Sequence, residues 1–212
     1  MTALRLHAIT VADAPYDPPT GDGTGQTKGP KLIPFRDLCA VVSEQKAFVL
    51  NETSAELVDQ HRAIVDAIFR GATVLPAPVG VVFRAPDVLK RWMELHYVSL
   101  SGALEFVDER AVARVHVVRA EGESDDLEAG SDVAAAAAES LRALRRHAVA
   151  AVPLRMEEVT GLALSSAFLV DRSTWKAFLA AVDEQKSAHH LLRFTVSGPW
   201  APYDFVHMQF GG

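Results

Sequence analysis

The stretch LALSSAFLVDRSTWKAFLAAV, from Leu162 to Val182, decides the fold of the second half of the chain. Up to Val170 its apolar residues favour every second position, which is the period of a β-strand. From Asp171 or Ser173, both favoured N-cap residues, the period changes to that of an amphipathic helix. The apolar face of this helix carries Trp175, Phe178, Leu179 and Val182. The stretch therefore predicts a strand followed closely by a helix.

The segments on either side complete a larger unit. A last strand is predicted from His190 to Val196, where apolar and polar residues alternate. Upstream, an alanine-rich helix from Ser131 to Ala148 lies between predicted strands at Val112 to Val118 and Val152 to Met156. The resulting order, β-α-β-β-α-β, is typical of a ferredoxin-like fold, an antiparallel sheet with two helices on one face.

The first half predicts a related but different β-β-α-β-α order, so the fold class is α+β with two α/β domains. A boundary near Gly102 gives domains 1–102 and 103–212. Residues 15–30, which are rich in Pro, Gly, Asp and Thr, predict a mobile loop. The predicted elements are strands at Leu4–Ala8, Phe35–Ser43 and Val79–Phe83, and helices at Asn51–Arg70 and Pro86–Leu100.

Composition excludes several classes of function. The formal net charge of −6 argues against a nucleic-acid partner held by phosphate contacts. No apolar run reaches the roughly 18 residues of a membrane-spanning helix. The N-terminal residues lack the layout of a signal peptide, and the single cysteine, Cys39, fits a reducing compartment. We therefore expect a cytoplasmic protein that binds neither nucleic acid nor membranes.

No pattern in the sequence predicts catalytic, cofactor-binding or metal-binding residues. The eight histidines are scattered, and there is no HExxH or CxxC motif. His61 lies on an apolar helical face, where a buried, hydrogen-bonded histidine is expected. The acidic segment from Glu121 to Gly130 lacks the spacing of a calcium loop. We therefore expect a protein that is not an enzyme and has no cofactor.

The segment GPWAPYDFV, Gly198 to Val206, resembles the C-terminal signature of the gas vesicle GvpF/GvpL family. That signature is a Gly-Pro-Trp-Pro-Pro-Tyr-x-Phe-like ending after a strand. Ala201 stands where the family often has its second proline. The matching residues are Gly198, Pro199, Trp200, Pro202, Tyr203 and Phe205.

A second match is HRAIVDAIFRGATVLPAPVGVVF, His61 to Phe83, which is similar to the family's helix followed by an LPxRFG segment. Pro78 and Val79 replace the usual Arg-Phe pair, and the middle region, Glu121 to Gly130, is shorter than in the family. The agreeing residues are His61, Leu75, Pro76, Gly80 and Phe83.

The resemblance implies a non-enzymatic accessory protein of gas vesicle assembly, cytoplasmic and associated with the vesicle. It implies partners among the small hydrophobic shell protein and other accessory proteins, bound during nucleation or chaperoning. The alternative is a ferredoxin-like protein that binds a small molecule for regulation, or an enzyme of unknown substrate. The C-terminal signature is either a structural strap or an epitope for a partner, and burial of its aromatic residues would favour the strap.

Overall fold

The computed structural model describes residues 3–14, 29–45, 54–120, 127–155 and 162–208. The chain forms two compact units, one made of Met1–Asp108 with Ala201–Gly212 and the other of Glu109–Trp200. The division therefore differs from the expected one near Gly102, which lies inside a helix, and the C-terminal residues return to the first unit. The predicted loop at 15–30 and the acidic residues 121–126 lie outside the described residues, except for Gly29 and Pro30.

The N-terminal unit contains more elements than the predicted β-β-α-β-α order. Its described strands form one sheet in the order β2-β3-β1-β4, with β5 also paired to β1 and every pairing antiparallel. The additional strands, β2 and β4, are short and each contains a proline. The elements are β1 (Ala3–Val11), β2 (Lys31–Phe35), β3 (Leu38–Gln45), α1 (Ala55–Phe69), β4 (Val74–Pro76), β5 (Val82–Phe83), α2 (Pro86–Leu95) and α3 (Tyr97–Val107).

Helices cover both faces of this sheet. Ser54 caps α1, since its Oγ accepts a hydrogen bond from the Leu57 amide at 3.3 Å. None of the buried residues of α1 belongs to the core cluster beneath α2 and α3, and its His61 contacts His7 of β1, so α1 packs on the opposite face. That cluster includes Leu6, Ile9, Leu38, Leu75, Leu89 and Met93.

The single helix predicted from Pro86 to Leu100 is two helices. The break falls at His96, whose backbone has φ −105° and ψ 10°, outside the helical region. Apolar spacing does not reveal such a break, because both helices bury residues in the same core. The second helix continues to Val107, beyond the predicted end.

The C-terminal unit has the ferredoxin-like order that the sequence predicts. Its described strands form an antiparallel sheet in the order β7-β8-β6-β9, which places the first and third strands of the unit side by side in the centre. The last strand continues through Pro199 to Trp200, beyond its predicted end at Val196. The elements are β6 (Arg110–Arg119), α4 (Leu127–Arg145), β7 (Ala150–Pro153), β8 (Leu162–Asp171), α5 (Trp175–Ala188) and β9 (Leu192–Trp200).

The core of this unit lies between the sheet and its two helices. Phe168 of β8 and Phe178 of α5 are fully buried, and their ring centroids are 5.3 Å apart. Both residues lie on the apolar faces that the sequence predicts for these elements. The alternating pattern of β8 is therefore the feature that fixes which face of the sheet carries the helices.

Candidate functional site

The C-terminal signature is divided between the two units. Gly198, Pro199 and Trp200 form the end of β9 in the C-terminal unit. Pro202 is buried, and Tyr203 and Phe205 are half-buried in a short 3₁₀ turn that belongs to the N-terminal unit. The signature therefore lies where the chain leaves one unit and enters the other.

Gly198 occupies a position that accepts no side chain. Its φ is +127°, a conformation that residues with a Cβ rarely adopt. A Cβ built there would lie 2.5 Å from the carbonyl oxygen of Val112 and 3.2 Å from Cη2 of Trp175. The backbone of β9 can thus approach β6 this closely only with glycine at the position.

Trp200 is less buried than its size suggests. The residue remains 41% exposed, and its indole N–H donates to the Ser197 hydroxyl at 3.1 Å. The residues that follow are better packed, since Ala201 is buried and both Val206 and Met208 pack against the core of the N-terminal unit. The segment Ala201–Met208, named here the tail segment, is thus the part of the signature region with the character of a strap.

We expect Trp200→Ala to lower the free energy of unfolding by about 1 kcal/mol, because much of the ring already contacts solvent. Phe178→Ala, which removes a fully buried ring of the same unit, should cost about 4 kcal/mol. Urea unfolding of both variants measures the difference. Equal losses would show that Trp200 is a core residue in solution.

The second family-like segment lies entirely in the N-terminal unit. Leu75 and Pro76 are buried in β4, next to β1 in the sheet. Gly80, with φ +91°, lies in the turn before β5, where Phe83 is 9% exposed. His61 lies in α1 and is 1% exposed, so the expectation of a buried histidine is confirmed.

His61 belongs to a buried polar cluster that the sequence does not reveal. Its Nδ1 lies 3.2 Å from Nδ1 of His7, so that one imidazole donates and the other accepts. The Nε2 of His7 lies 2.8 Å from the Ser43 hydroxyl. The Arg5 side chain lies near both rings and is itself 7% exposed.

Burial keeps both imidazoles neutral at physiological pH. Desolvation, followed by the neighbouring His61 and the Arg5 guanidinium, lowers the pKa of His7 to about 3. Desolvation also lowers the pKa of His61 to about 4; the backbone of Ala77 opposes this and Arg5 adds to it. Two neutral rings can share one N–H···N hydrogen bond, which two imidazolium ions cannot.

The two family-like segments meet at this cluster. The ring of Tyr203, from the C-terminal signature, lies 6.4 Å from the ring of His61, from the second segment. His7, Ser43 and Arg5 were missed as members because they lie far from His61 in sequence. The structure places His7 at a β-bulge between Leu6 and Ala8, which interrupts the register of β1 and which no residue type in the sequence indicates.

Comparison with known families identifies the chain's relatives. The sequence model of the family described as gas vesicle synthesis protein GvpL/GvpF matches residues 6–142 and 121–207. The chain belongs to this family. The family comprises gas vesicle accessory proteins and is not a known enzyme family.

Individual relatives agree with the family assignment. Gas vesicle protein F2 of Halobacterium salinarum is 29% identical over 196 residues, which cover 90% of this chain and 86% of the relative. Gas vesicle protein F1 of the same organism is 22% identical over 188 residues, covering 84% and 82%.

Two crystal structures of GvpF share the fold. The protein from Anabaena matches with a TM-score of 0.77 at 14% identity, covering 100% of this chain and 99% of that one. The protein from Microcystis aeruginosa matches with a TM-score of 0.71 at 12% identity, covering 97% and 99%. At these identities the likeness establishes the α+β fold alone.

The described part of this GvpL/GvpF-family chain presents no constellation for metal chemistry. No three His, Cys, Asp or Glu side chains within it are grouped so that they could hold an ion. Cys39 is buried, and burial raises the pKa of its thiol, which disfavours the thiolate. None of the described helices is both long and apolar enough to cross a bilayer.

One cavity of the N-terminal unit involves the tail segment. It has a volume of about 400 Å³ and opens between α2, α3 and the end of the tail segment. Its lining is mixed, because His96, Ser99 and His207 add polar groups to the apolar side chains. The other lining residues are Leu75, Trp92, Leu100, Ala103, Phe205, Val206 and Met208.

The most exposed large apolar side chains lie on the outer surface of α2 and α3. Leu95 is 74% exposed and Val98 is 82% exposed. Val88 lies two turns before Leu95 on α2, and Phe106 lies about two turns after Val98 on α3; both are more than 40% exposed. We call these four residues the apolar helix surface.

Proposed function

We propose that this GvpL/GvpF-family chain is a non-enzymatic accessory protein of gas vesicle assembly that binds the hydrophobic shell protein or another accessory protein. It would act in the cytoplasm, in association with the growing vesicle. Family membership supports the assembly role. The partner, the absence of catalysis and the location are parts of the proposal.

The observation that carries the proposal is the apolar helix surface. Leu95 and Val98 expose most of their area, and Val88 and Phe106 expose more than 40% of theirs. Exposed apolar area is disfavoured in water, and a cluster of it is typical of a surface that a partner covers. A shell subunit that is apolar before assembly offers a matching surface.

Charged residues border this surface. A shallow cleft beside α2 is lined by Phe35 and Leu95 together with four charged side chains, Asp87, Lys90, Arg91 and Glu94. An apolar centre with a charged rim is the usual anatomy of a protein interface. The positive and negative side chains of this charged rim would orient a partner and would disfavour partners with a poorly matched charge pattern.

The alternative, a small-molecule regulatory protein or an enzyme, has less support. Ligand sites combine an enclosed pocket with converging polar groups of shifted pKa. Here the two histidines with strongly lowered pKa, His7 and His61, contact each other and Ser43 inside the fold and line none of the cavities described above. Their surroundings are those of a structural cluster.

A pull-down with the purified shell protein tests the proposal. We expect the wild-type chain to retain the shell protein, and the double variant Leu95→Glu, Val98→Glu to lose at least ten-fold in binding, about 1.4 kcal/mol. The variant should unfold at the same urea concentration as the wild type, because both side chains are exposed.

The matched control is Val149→Glu, which changes a residue of the C-terminal unit that is 43% exposed. This variant should bind as the wild type does. Equal losses for the control and the double variant would point to a general effect of charge. Undiminished binding of the double variant would place the interface elsewhere.

A further inference from the structure

The outer edge of β9 is an open strand edge of the C-terminal unit. In the sheet order β7-β8-β6-β9 it is the terminal strand, and no described strand pairs with its outer side. The stretch Leu192–Ser197 pairs with β6 without irregularity. On the face of β9 that points away from the two helices, Arg193 and Thr195 are exposed.

The hydrogen bonding of β9 fixes which backbone groups face this edge. The Ala120 amide donates to the Leu191 carbonyl at 2.8 Å, so Leu191 belongs to a hydrogen-bonded pair. Such pairs alternate along an antiparallel ladder, so Arg193, Thr195 and Ser197 also bond to β6. The N–H and C=O groups of Phe194 and Val196 therefore point outward, away from β6.

The other open edges carry features that oppose pairing, and this stretch of β9 does not. The edge strand β2 contains Pro34, and β7 has four residues ending at Pro153. Prolines and very short strands are common protections of sheet edges. Between Leu192 and Ser197 there is no proline and only one charged residue, Arg193.

We propose that two copies of this chain associate through β9, antiparallel and about a two-fold axis at Thr195. Phe194 then exchanges both backbone hydrogen bonds with Val196 of the partner subunit. Thr195 lies opposite the partner's Thr195, and Arg193 lies opposite the partner's Ser197. The two four-stranded sheets become continuous across the axis.

The register of this pairing follows from which backbone groups point away from β6 and from the charge of Arg193. Only Phe194 and Val196, whose backbone N–H and C=O groups point away from β6, can form hydrogen bonds with a second copy. Because these are alternate residues, the two-fold axis passes through a residue and not between two residues. An axis at Phe194 would bring the two Arg193 side chains to diagonal positions about 7–8 Å apart, which is unfavourable for like charges. An axis at Thr195 separates them by four residues and gives Thr–Thr and aromatic–β-branched pairs, which are favourable.

Cysteine cross-linking of the full chain tests the axis. In this arrangement the two Thr195 residues form a pair without mutual hydrogen bonds, with Cα atoms about 4.5 Å apart, a separation that a disulfide spans. Thr195→Cys should therefore cross-link to a covalent dimer under mild oxidation. Ser197→Cys, whose two copies would lie about 14 Å apart, is the matched control and should not. Cys39 is buried and remains in every variant.

Charge exchange supplies a second test. Thr195 is exposed, so Thr195→Asp and Thr195→Lys should each fold normally but sediment as monomers, since like charges meet at the axis. An equimolar mixture of the two variants should sediment at twice the monomer mass, as the wild-type chain does. A wild-type monomer at all concentrations, or cross-linking of Thr195→Cys to the shell protein in place of a second copy, would overturn the proposal.

Discussion

Gly198→Ala is expected to destabilise the protein by about 3 kcal/mol or more. Two costs add at this position. A backbone with φ +127° is strained for alanine, by about 1–3 kcal/mol. The new Cβ would also lie 2.5 Å from the Val112 carbonyl oxygen, which is backbone of the central strand β6 and cannot rotate away.

Gly102→Ala is the matched control, because it makes the same change inside α3. A Cβ at Gly102 meets no atom within 4 Å, and alanine has the higher helix propensity. This variant should be more stable by about 0.5–1 kcal/mol. Urea unfolding of both variants measures the two changes in the free energy of unfolding. A small loss for Gly198→Ala would contradict the tight approach of β9 to β6.

The second large expected effect is a fall in stability between pH 7 and pH 5. The folded chain keeps His7 and His61 unprotonated in this range, because their pKa values are about 3 and 4. The unfolded chain protonates both below about pH 6.5. Acid therefore favours unfolding, and each histidine should contribute about 2 kcal/mol to the loss by pH 5.

His61→Gln should remove about half of this pH-dependent loss, whatever its stability at pH 7. The control is His147→Gln, which changes an exposed histidine and should leave the difference between pH 7 and pH 5 as it is in the wild type. Denaturant titrations at the two pH values measure the differences. An unchanged difference in the His61 variant would mean that this imidazole already titrates near pH 6.5 in the folded chain.

The C-terminal unit could be predicted from the sequence because local periodicity and tertiary packing agree there. The alternating residues of β8 and the helical spacing of α5 both point to the same core, where Phe168 meets Phe178. The start of α4 was less predictable, since the helix begins at Leu127 and not at Ser131. Helix ends depend on capping and solvent more than on apolar spacing.

The N-terminal unit could be predicted less well because its short elements depend on distant partners. β4 has three residues and forms only because β1 offers a pairing edge. The domain division differs from the expected one for a similar reason. Val206 and Met208 of the tail segment pack on a core formed more than ninety residues earlier, and no local pattern encodes that return.

The candidate site shows the same limit. The family signature singles out residues of the C-terminus as candidates, which stays a prediction. The apolar face of α1 predicts that His61 is buried, and this is confirmed. Its contact with His7, 54 residues away, depends on a bulge in β1 that no residue type announces. The exposure of Leu95 and Val98 was also hidden, because apolar helix residues are expected in the core until packing is known.

The most direct test of the proposed assembly role is the gas vesicle content of cells that lack this chain. We expect such cells to form few or no vesicles, and the wild-type chain to restore them. The Leu95→Glu, Val98→Glu variant, expressed at the same level, should not restore them, whereas Val149→Glu should. Normal vesicle numbers in cells without the chain would contradict the role in assembly.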